Sequence, residues 1–253
     1  MKEQLLNAEG FRANLGVRTP EDFEVIKGEE GTRYANRKDN RTLSYSMVAY
    51  DIAERFPEAQ EILEVCAGSG HLAYFLHKYT GRRIHATEGG KELIQAARTK
   101  YNSENILFEV QNVHNHAGKG KYDLVVCKDS FHHFPDSRQG LKDLSSLLKE
   151  GGSLYVFDLT RDCPEEQALA RLNTIQNSHE QKRFLQSLNA SWTMDEMIAL
   201  AEECGLNLEC QPRLKFSNEN SGYHRDMIEK DRTREAELNL LSRIYVFKKN
   251  ANK

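Results

Sequence analysis

The chain has 253 residues, of which 39% are hydrophobic and 29% are charged, and its formal net charge is −3. This length predicts one domain with elaborations or two small domains. The near-neutral charge argues against a wide nucleic-acid surface, and no apolar run approaches the ~18 residues that a membrane span needs.

The cysteines and the N-terminus bear on the compartment. The five cysteines, at positions 66, 127, 163, 204 and 210, are odd in number and lack a Cys-x-x-Cys spacing, so a disulfide framework or a zinc ribbon is not expected. The first residues lack a secretory apolar segment. We therefore expect reduced thiols and a cytoplasmic location.

Strands and helices alternate from residue 61 onward. Strands are predicted at 61–66, 83–87, 106–111, 122–128 and 153–158, and helices at 71–79, 90–101 and 136–149, the last stopped by Gly151-Gly152. This rhythm predicts an α/β fold: a doubly wound, Rossmann-like, mainly parallel sheet with helices on both faces. We expect seven strands, of which the last is antiparallel.

The C-terminal part continues this pattern. Thr193 and Glu196 form a Thr-x-x-Glu capping box that predicts a helix start. Strands are predicted at 206–216 and 243–248. A charged helix is predicted at about 226–241, within a helical insertion at about 220–242.

Two segments lie outside the sheet pattern. Residues 1–50 are polar with scattered aromatic residues, and two short helices are predicted within residues 160–192. In open α/β sheets the ligand lies beyond the carboxyl ends of the strands, where such segments can cover it. We therefore expect a helical cap at 1–50 and a cofactor-binding domain at 51–253 with a helical lid at about 160–192.

Chemically informative residues follow the predicted strands. The turn Ala67-Gly68-Ser69-Gly70 comes after an apolar strand and before a helix, which is how α/β sheets present backbone N–H groups to a nucleotide-like ligand. Glu64 precedes this turn. Three further groups end the next strands: Glu88-Gly89, Asn112-Val113 and Lys128-Asp129.

Together these motifs resemble a class I S-adenosylmethionine (SAM) dependent methyltransferase of the broad small-molecule type. The resemblance rests on Glu-Val-Cys-Ala-Gly-Ser-Gly-His from Glu64, on Phe-His-His-Phe-Pro-Asp from Phe131 and on Leu-Lys-Glu-Gly-Gly-Ser-Leu-Tyr-Val-Phe-Asp from Leu148. It covers residues 45–160 well and 190–250 loosely.

The resemblance implies a role for each group. Glu64 and the backbone of Ala67, Gly68, Ser69 and Gly70 would hold the methionine end of SAM. Glu88, with Gly89 beside it, would bind the ribose, and Asn112 and Val113 would flank the adenine. The Lys128 backbone and Asp129 would contact the methionine amine or the surroundings of the sulfonium.

Two positions depart from the family pattern. Cys66 stands where the family usually has its first glycine, so the turn could have another shape. Asn112 stands where an aspartate often reads the adenine amino group, and its amide oxygen can accept the same hydrogen bond without the charge.

The same residues also have purely structural interpretations. Glu64 could be a strand-end acid paired with an arginine. Glu88 could cap the helix at 90–101, whose N-terminus favours an anion. Asn112 could be the first residue of an Asx turn.

Two residues are candidates for catalytic roles. His133 is a candidate general base, with His132 packed beneath the edge of the sheet. Tyr34 is a candidate lid residue over the sulfonium methyl, although residues 34–50 could simply pack on the sheet as a helix. His114 and His116 fit a loop better than a metal site, and no metal is expected.

The acceptor follows by elimination. The chain lacks an Asn-Pro-Pro-aromatic motif, a Pro-Cys nucleophile and a wide basic stripe. A small-molecule acceptor remains, with O-, N- and C-methylation all open. Three rivals stay open too: intramolecular cleavage of SAM, a non-catalytic SAM binder, and an NAD-dependent oxidoreductase that uses Gly68-x-Gly70-x-x-Ala73.

Overall fold

The computed structural model describes residues 15–21, 27–36, 42–211, 214 and 241–249. The predicted helix at about 226–241 and the insertion around it fall almost wholly outside the described residues. Within the described ranges, every helix is too short or too polar to cross a bilayer.

A seven-stranded sheet forms the centre of the protein. Its strands are β1 (Ile62–Val65), β2 (Ile84–Glu88), β3 (Ile106–Val110), β4 (Tyr122–Lys128), β5 (Leu148–Leu159), β6 (Asn207–Gln211) and β7 (Ser242–Lys248). Their spatial order is β3-β2-β1-β4-β5-β7-β6. All neighbouring pairs among β1 to β5 are parallel, and β7 runs antiparallel to both β5 and β6. The predicted Rossmann-like sheet with an antiparallel last strand is confirmed.

Helices cover both faces of this sheet. In chain order they are α1 (Gly28–Ala35), α2 (Thr42–Arg55), α3 (His71–Thr80), α4 (Lys91–Lys100), α5 (Ser137–Leu147), α6 (Glu165–Thr174), α7 (Ser178–Ala190) and α8 (Met194–Glu203). The two short helices predicted between 160 and 192 are α6 and α7.

Alternation along the central strands divides the core into two layers. Ile62 and Leu124 pack with α2, α3 and α4 on one face, whereas Leu63 and Val125 pack with α5 and α8 on the other. Successive strand residues point to opposite faces, so a strand buried on both sides has to be apolar throughout. This explains the continuous apolar run Leu124-Val125-Val126-Cys127.

Local signals set several helix ends. Thr193 accepts a hydrogen bond from the N–H of Glu196 over 3.3 Å, and Glu196 accepts one from the N–H of Thr193 over 3.0 Å, which is the predicted capping box. The expected stop of α5 at Gly151-Gly152 is wrong. The helix ends at Leu147, because Leu148 already pairs with Tyr122 as the first residue of β5.

The N-terminal helices differ in how they contact this core. α2 runs from residue 42 to residue 55, and its residues Met47, Val48 and Ile52 are fully buried in the layer beside β1. α2 therefore continues through the expected boundary at residue 50. The division into a cap and a cofactor-binding domain stays a prediction.

Candidate active site

The turn after β1 has the backbone shape that the glycine pattern predicts. Cys66, Gly68 and Gly70 have φ angles of 54°, 53° and 78°, all in the left-handed region. Cys66 therefore adopts the conformation for which glycine is usually chosen, at a cost of about 1–2 kcal/mol for a residue with a Cβ. The expectation that Cys66 could give the turn another shape is not supported, because the backbone is glycine-like there.

Gly70 is required by space as well as by conformation. A Cβ added to it would lie 2.7 Å from Cε1 of Phe108 and 3.0 Å from Cβ of Ala97. The start of α3 therefore lies directly against β3 and α4. This close packing holds the glycine turn in place at the carboxyl end of β1.

A pocket opens at the carboxyl ends of β1 and β4. Its lining residues come from the turn, from the end of β4 and from the N-terminal helices: Tyr34, Tyr45, Glu64, Cys66, Ala67, Gly68, Ser69, Lys128, Asp129 and Ser130. The structure thus brings together the residues predicted for the methionine end of SAM, except Gly70, and the predicted lid residue Tyr34. Among the described residues, Gly70, Glu88, Gly89, Asn112, Val113 and His133 do not line it.

Glu64 is the buried acid of this pocket. Glu64 is only 3% exposed. Its Oε2 has no hydrogen-bond partner among the described residues. Burial raises the pKa of Glu64 to about 8, while the positive charge of Lys128 opposes that increase. Within the described part of the chain no arginine forms an ion pair with Glu64, and the opposing positive charge is that of Lys128.

Lys128 brings a cation to the same pocket. Its ammonium group contacts the carboxylate of Asp129 and lies 4.6 Å from the ring centroid of Tyr45 and 5.4 Å from that of Phe157. Asp129 has a φ of 51°, and its N–H donates to the carbonyl of Phe157 over 2.8 Å. A left-handed non-glycine residue in a pocket is the kind of strain that clusters at functional sites.

Glu88 connects the turn to the next strand. Its carboxylate accepts hydrogen bonds of 3.0 Å from the N–H of Gly68 and of 3.0 Å from the N–H of Gly90. Gly90 is the N-cap residue of α4, which shows no side-chain capping hydrogen bond, so Glu88 contacts the residue before the helix and does not cap its first turn. The half-buried carboxylate is nevertheless positioned beside the turn.

Asn112 and Val113 follow β3 at the edge of the same surface. Asn112 is exposed, and its Oδ1 accepts a hydrogen bond of 2.9 Å from the N–H of His114. This is the Asx turn considered from sequence, and it begins a short 3₁₀ helix at Val113–Asn115. Val113 is half-buried there.

The two adjacent histidines have different environments. His132 is 3% exposed, and its Nδ1 lies 2.6 Å from Oδ1 of Asp158, whose charge raises the pKa of this imidazole against its burial. His133 is half-buried, and its Nδ1 lies 2.6 Å from Oε2 of Glu21. Burial lowers the pKa of His133, which Glu21 partly counteracts. His132 is packed at the sheet edge as expected, and His133 faces the N-terminal segment.

Sequence reasoning missed three lining residues: Tyr45, Cys66 and Ser130. The cysteine and the serine adjoin predicted positions, so the motif boundaries could have included them. Tyr45 belongs to α2, and no local sequence pattern predicts which side chain of that helix lines the pocket. The side chain of Lys128 was also missed, since only its backbone was assigned a role.

Comparison with known proteins identifies the family to which this site belongs. The profile of the methyltransferase domain family matches residues 39–211. A ubiquinone biosynthesis O-methyltransferase of Xanthomonas axonopodis pv. citri is 26% identical over 185 residues, which are 68% of this chain and 77% of that protein. One from Xanthomonas campestris pv. campestris is 28% identical over 160 residues, which are 58% of this chain and 66% of that protein.

Solved structures share the fold at lower identity. The plantazolicin methyltransferase BpumL in complex with SAH superimposes with a TM-score of 0.65 at 18% identity, covering 87% of this chain and 88% of that one. A putative methyltransferase from Bacillus halodurans C-125 gives a TM-score of 0.53 at 19% identity, covering 82% and 99%. With the family profile matched over most of the chain and the glycine turn placed as described, the chain belongs to the methyltransferase domain family and is a class I SAM-dependent methyltransferase.

Proposed function

We propose that this enzyme transfers the methyl group of SAM to an oxygen atom of a small molecule. The observation that carries the proposal is the pocket in which the buried acid Glu64, the glycine turn and the aromatic side chains Tyr34 and Tyr45 converge. The choice of oxygen is supported by the names of the Xanthomonas relatives, which are O-methyltransferases.

The pocket residues fit the methionine end of SAM. The buried Oε2 of Glu64, which has no partner among the described residues, suits the ammonium group of the cofactor, because such an acceptor is costly when left unpaired and gains much from a charged donor. The turn from Ala67 to Gly70, in which Gly68 and Gly70 are left-handed, leaves room for close approach of the ligand to the backbone. Lys128 offers a cation for the carboxylate of the ligand, and Asp129 tempers that charge.

The remaining cofactor contacts extend along the sheet edge. Glu88 and Gly89 are assigned to the ribose, supported by the contact of Glu88 with the N–H of Gly68. Asn112 and Val113 are assigned to the adenine. Because Oδ1 of Asn112 is already an acceptor in its own turn, recognition there relies on the second lone pair of that oxygen or on the backbone.

The substrate side of the site belongs to the proposed cap at 1–50 and the proposed lid at 160–192. Tyr34 from α1 lines the pocket and is assigned to closing over the methyl group. A cytoplasmic location, supported by the cysteine pattern, is part of the proposal, as is the absence of nucleic-acid partners.

Methyl transfer from SAM requires of the protein mainly that it align the reacting groups. When bound, SAM supplies an electrophilic methyl group on a sulfonium. The pocket residues hold the acceptor oxygen in line and exclude water, so positioning supplies most of the acceleration. A hydroxyl acceptor has to lose its proton. The proposed base is His133, which lies outside the pocket lining on the turn whose first residue, Ser130, lines it. With Nδ1–H donated to Glu21, Nε2 is the accepting nitrogen of a neutral imidazole.

Titration and product analysis test the proposal in two stages. Calorimetry with SAM, S-adenosylhomocysteine and NAD should give micromolar binding of the first two only, and tighter NAD binding would contradict the cofactor assignment. Turnover is then measured with phenols and with the amines of the same carbon skeleton. An O-methyl product with S-adenosylhomocysteine supports the proposal, whereas methylation of the amines alone contradicts the choice of oxygen and methylthioadenosine contradicts methyl transfer.

A further inference from the structure

Three metal-ligating side chains meet beside the candidate active site. One ligand atom from each of Glu21, His132 and His133 lies within 4.8 Å of the others. The two histidines belong to the turn after β4 that begins in the pocket wall, since the N–H of His133 donates to the carbonyl of Ser130 over 3.1 Å. Glu21 comes from a segment 112 residues away in sequence.

His132 is held in the orientation of a metal ligand. Asp158 accepts from its backbone N–H over 2.8 Å and lies 2.6 Å from its Nδ1. A carboxylate on Nδ1–H fixes the tautomer that leaves a lone pair on Nε2, the arrangement that commonly supports metal-bound histidines. The hydrogen bond of the His132 side chain runs through Nδ1, and the residue is only 3% exposed.

Glu21 lies beside this turn because other residues of its segment, 15–21, contact the protein. The Nε of Arg18 donates to the carbonyl of Ala190 over 2.7 Å, and the guanidinium lies 4.4 Å from the ring centroid of Trp192. The N–H of Thr19 donates to the carbonyl of Asn189 over 3.0 Å. The segment is therefore fixed on the protein independently of the 2.6 Å contact between Glu21 and His133.

We propose that Glu21, His132 and His133 form a binding site for a divalent first-row transition metal of the Zn²⁺ type. Two imidazoles and one carboxylate are ligands that Zn²⁺, Fe²⁺ and Co²⁺ accept, and three protein ligands leave a coordination position open. Ligands about 2.0–2.2 Å from a tetrahedral metal stand roughly 3.4 Å apart. Metal binding would therefore bring the three ligand atoms from their present spacing, within 4.8 Å of one another, to that distance.

The site goes beyond the proposed methyl transfer and sets a condition on it. An imidazole whose nitrogen lone pair binds a metal no longer accepts a proton. His133 therefore serves either as the base or as a ligand, and occupation of the site ties residues 15–21 to the pocket wall. Bound metal should slow any turnover that depends on His133 as a base.

Calorimetric titration with Zn²⁺ tests the site on chelator-treated, full-length protein without SAM. We expect one site in the wild type, weakened in Glu21→Gln and His133→Gln by at least the roughly 10- to 100-fold that loss of a partner behind a metal ligand typically costs. His114→Gln is the matched control, because His114 also lies 2.6 Å from a carboxylate, that of Asp143, but outside the cluster. The control should bind as the wild type does. Equal binding by all four proteins, or none by the wild type, would overturn the proposal.

Two further readouts separate this site from metal binding by cysteines and from misfolding of the variants. Cys66, Cys127, Cys163 and Cys204 are free thiols, so Co²⁺ is titrated as well, and its spectrum should show d–d bands without thiolate charge-transfer absorbance. A thiolate band would overturn the assignment. Circular dichroism should show that both variants fold, and Zn²⁺ should raise the melting temperature of the wild type but not of the variants. Because SAM is absent throughout, failure here is separate from failure of the proposed methyl transfer.

Discussion

The carboxylate of Glu88, at the end of β2, accepts a hydrogen bond of 3.0 Å from the N–H of Gly68, in the turn after β1. This contact joins two neighbouring strands at the edge where the pocket opens. A second hydrogen bond of 3.0 Å, from the N–H of Gly90, ties the same carboxylate to the start of α4. One side chain thus supports the shape of the glycine turn and offers the assigned ribose acceptor.

Glu88→Ala should therefore weaken S-adenosylhomocysteine binding about 10- to 100-fold, since hydrogen bonds to a charged group contribute about 1.5–3 kcal/mol. Calorimetry on the purified variant measures this change. Glu104→Ala, at an exposed position between α4 and β3, is the control. Unchanged affinity in Glu88→Ala would remove Glu88 from the cofactor site.

Glu64 should make stability fall as pH rises. Its folded pKa of about 8 lies above the ordinary value of 4.5. Well below pH 4.5 both the folded and the unfolded chain hold the proton, so this group adds no pH dependence to stability there. Above that value the unfolded chain releases its proton first, and stability declines until the folded group ionises near pH 8.

Urea unfolding of wild type and Glu64→Gln across this window measures the effect. The variant has no ionisable group at this position, so its free energy of unfolding should gain on that of the wild type as pH rises. Binding of SAM to the wild type should also release protons, because an ionised Glu64 pairs with the ammonium, and this release should be absent in the variant. Parallel pH profiles of stability would contradict the raised pKa.

Gly70→Ala should destabilise the fold more than its backbone angle alone explains. Gly81, which caps the end of α3, has a φ of 67°, and a Cβ added there would have no atom within 4 Å, so Gly81→Ala isolates the backbone cost of about 1–2 kcal/mol. Gly70→Ala adds the overlap with Phe108 and Ala97, at a further cost of about 1–3 kcal/mol. Denaturant unfolding of the two variants compares them directly. Equal losses would show that the turn is not tightly packed.

Tyr34→Ala should lower turnover more than it lowers cofactor affinity. Tyr34 lines the pocket from α1 and is assigned to the methyl end, where it excludes water. Steady-state kinetics and S-adenosylhomocysteine titration separate the two effects. Tyr34→Phe keeps the ring and should retain most activity, while Arg33→Ala changes an exposed neighbour on the same helix. A loss of affinity equal to the loss of turnover would place Tyr34 at the cofactor instead.

The fold could be predicted closely because its signals are local. Periodicity placed the strands, and the Thr193 capping box placed the start of α8 to the residue. The end of α5 was missed because pairing of Leu148 with Tyr122 ends the helix. No residue near Leu147 predicts a contact with a strand more than twenty positions earlier in the chain.

The glycine turn and the groups after each strand were determined by the sequence itself, because the carboxyl ends of parallel strands meet at one edge and fix which residues can share a site. Only the tertiary structure decided the charges and the covering of that site. Burial sets the protonation of Glu64, packing of α2 brings Tyr45 to Lys128, and the docked segment at 15–21 brings Glu21 to His133. These contacts join segments far apart in the chain, and their energies depend on exclusion of water, which no local spacing of residues encodes.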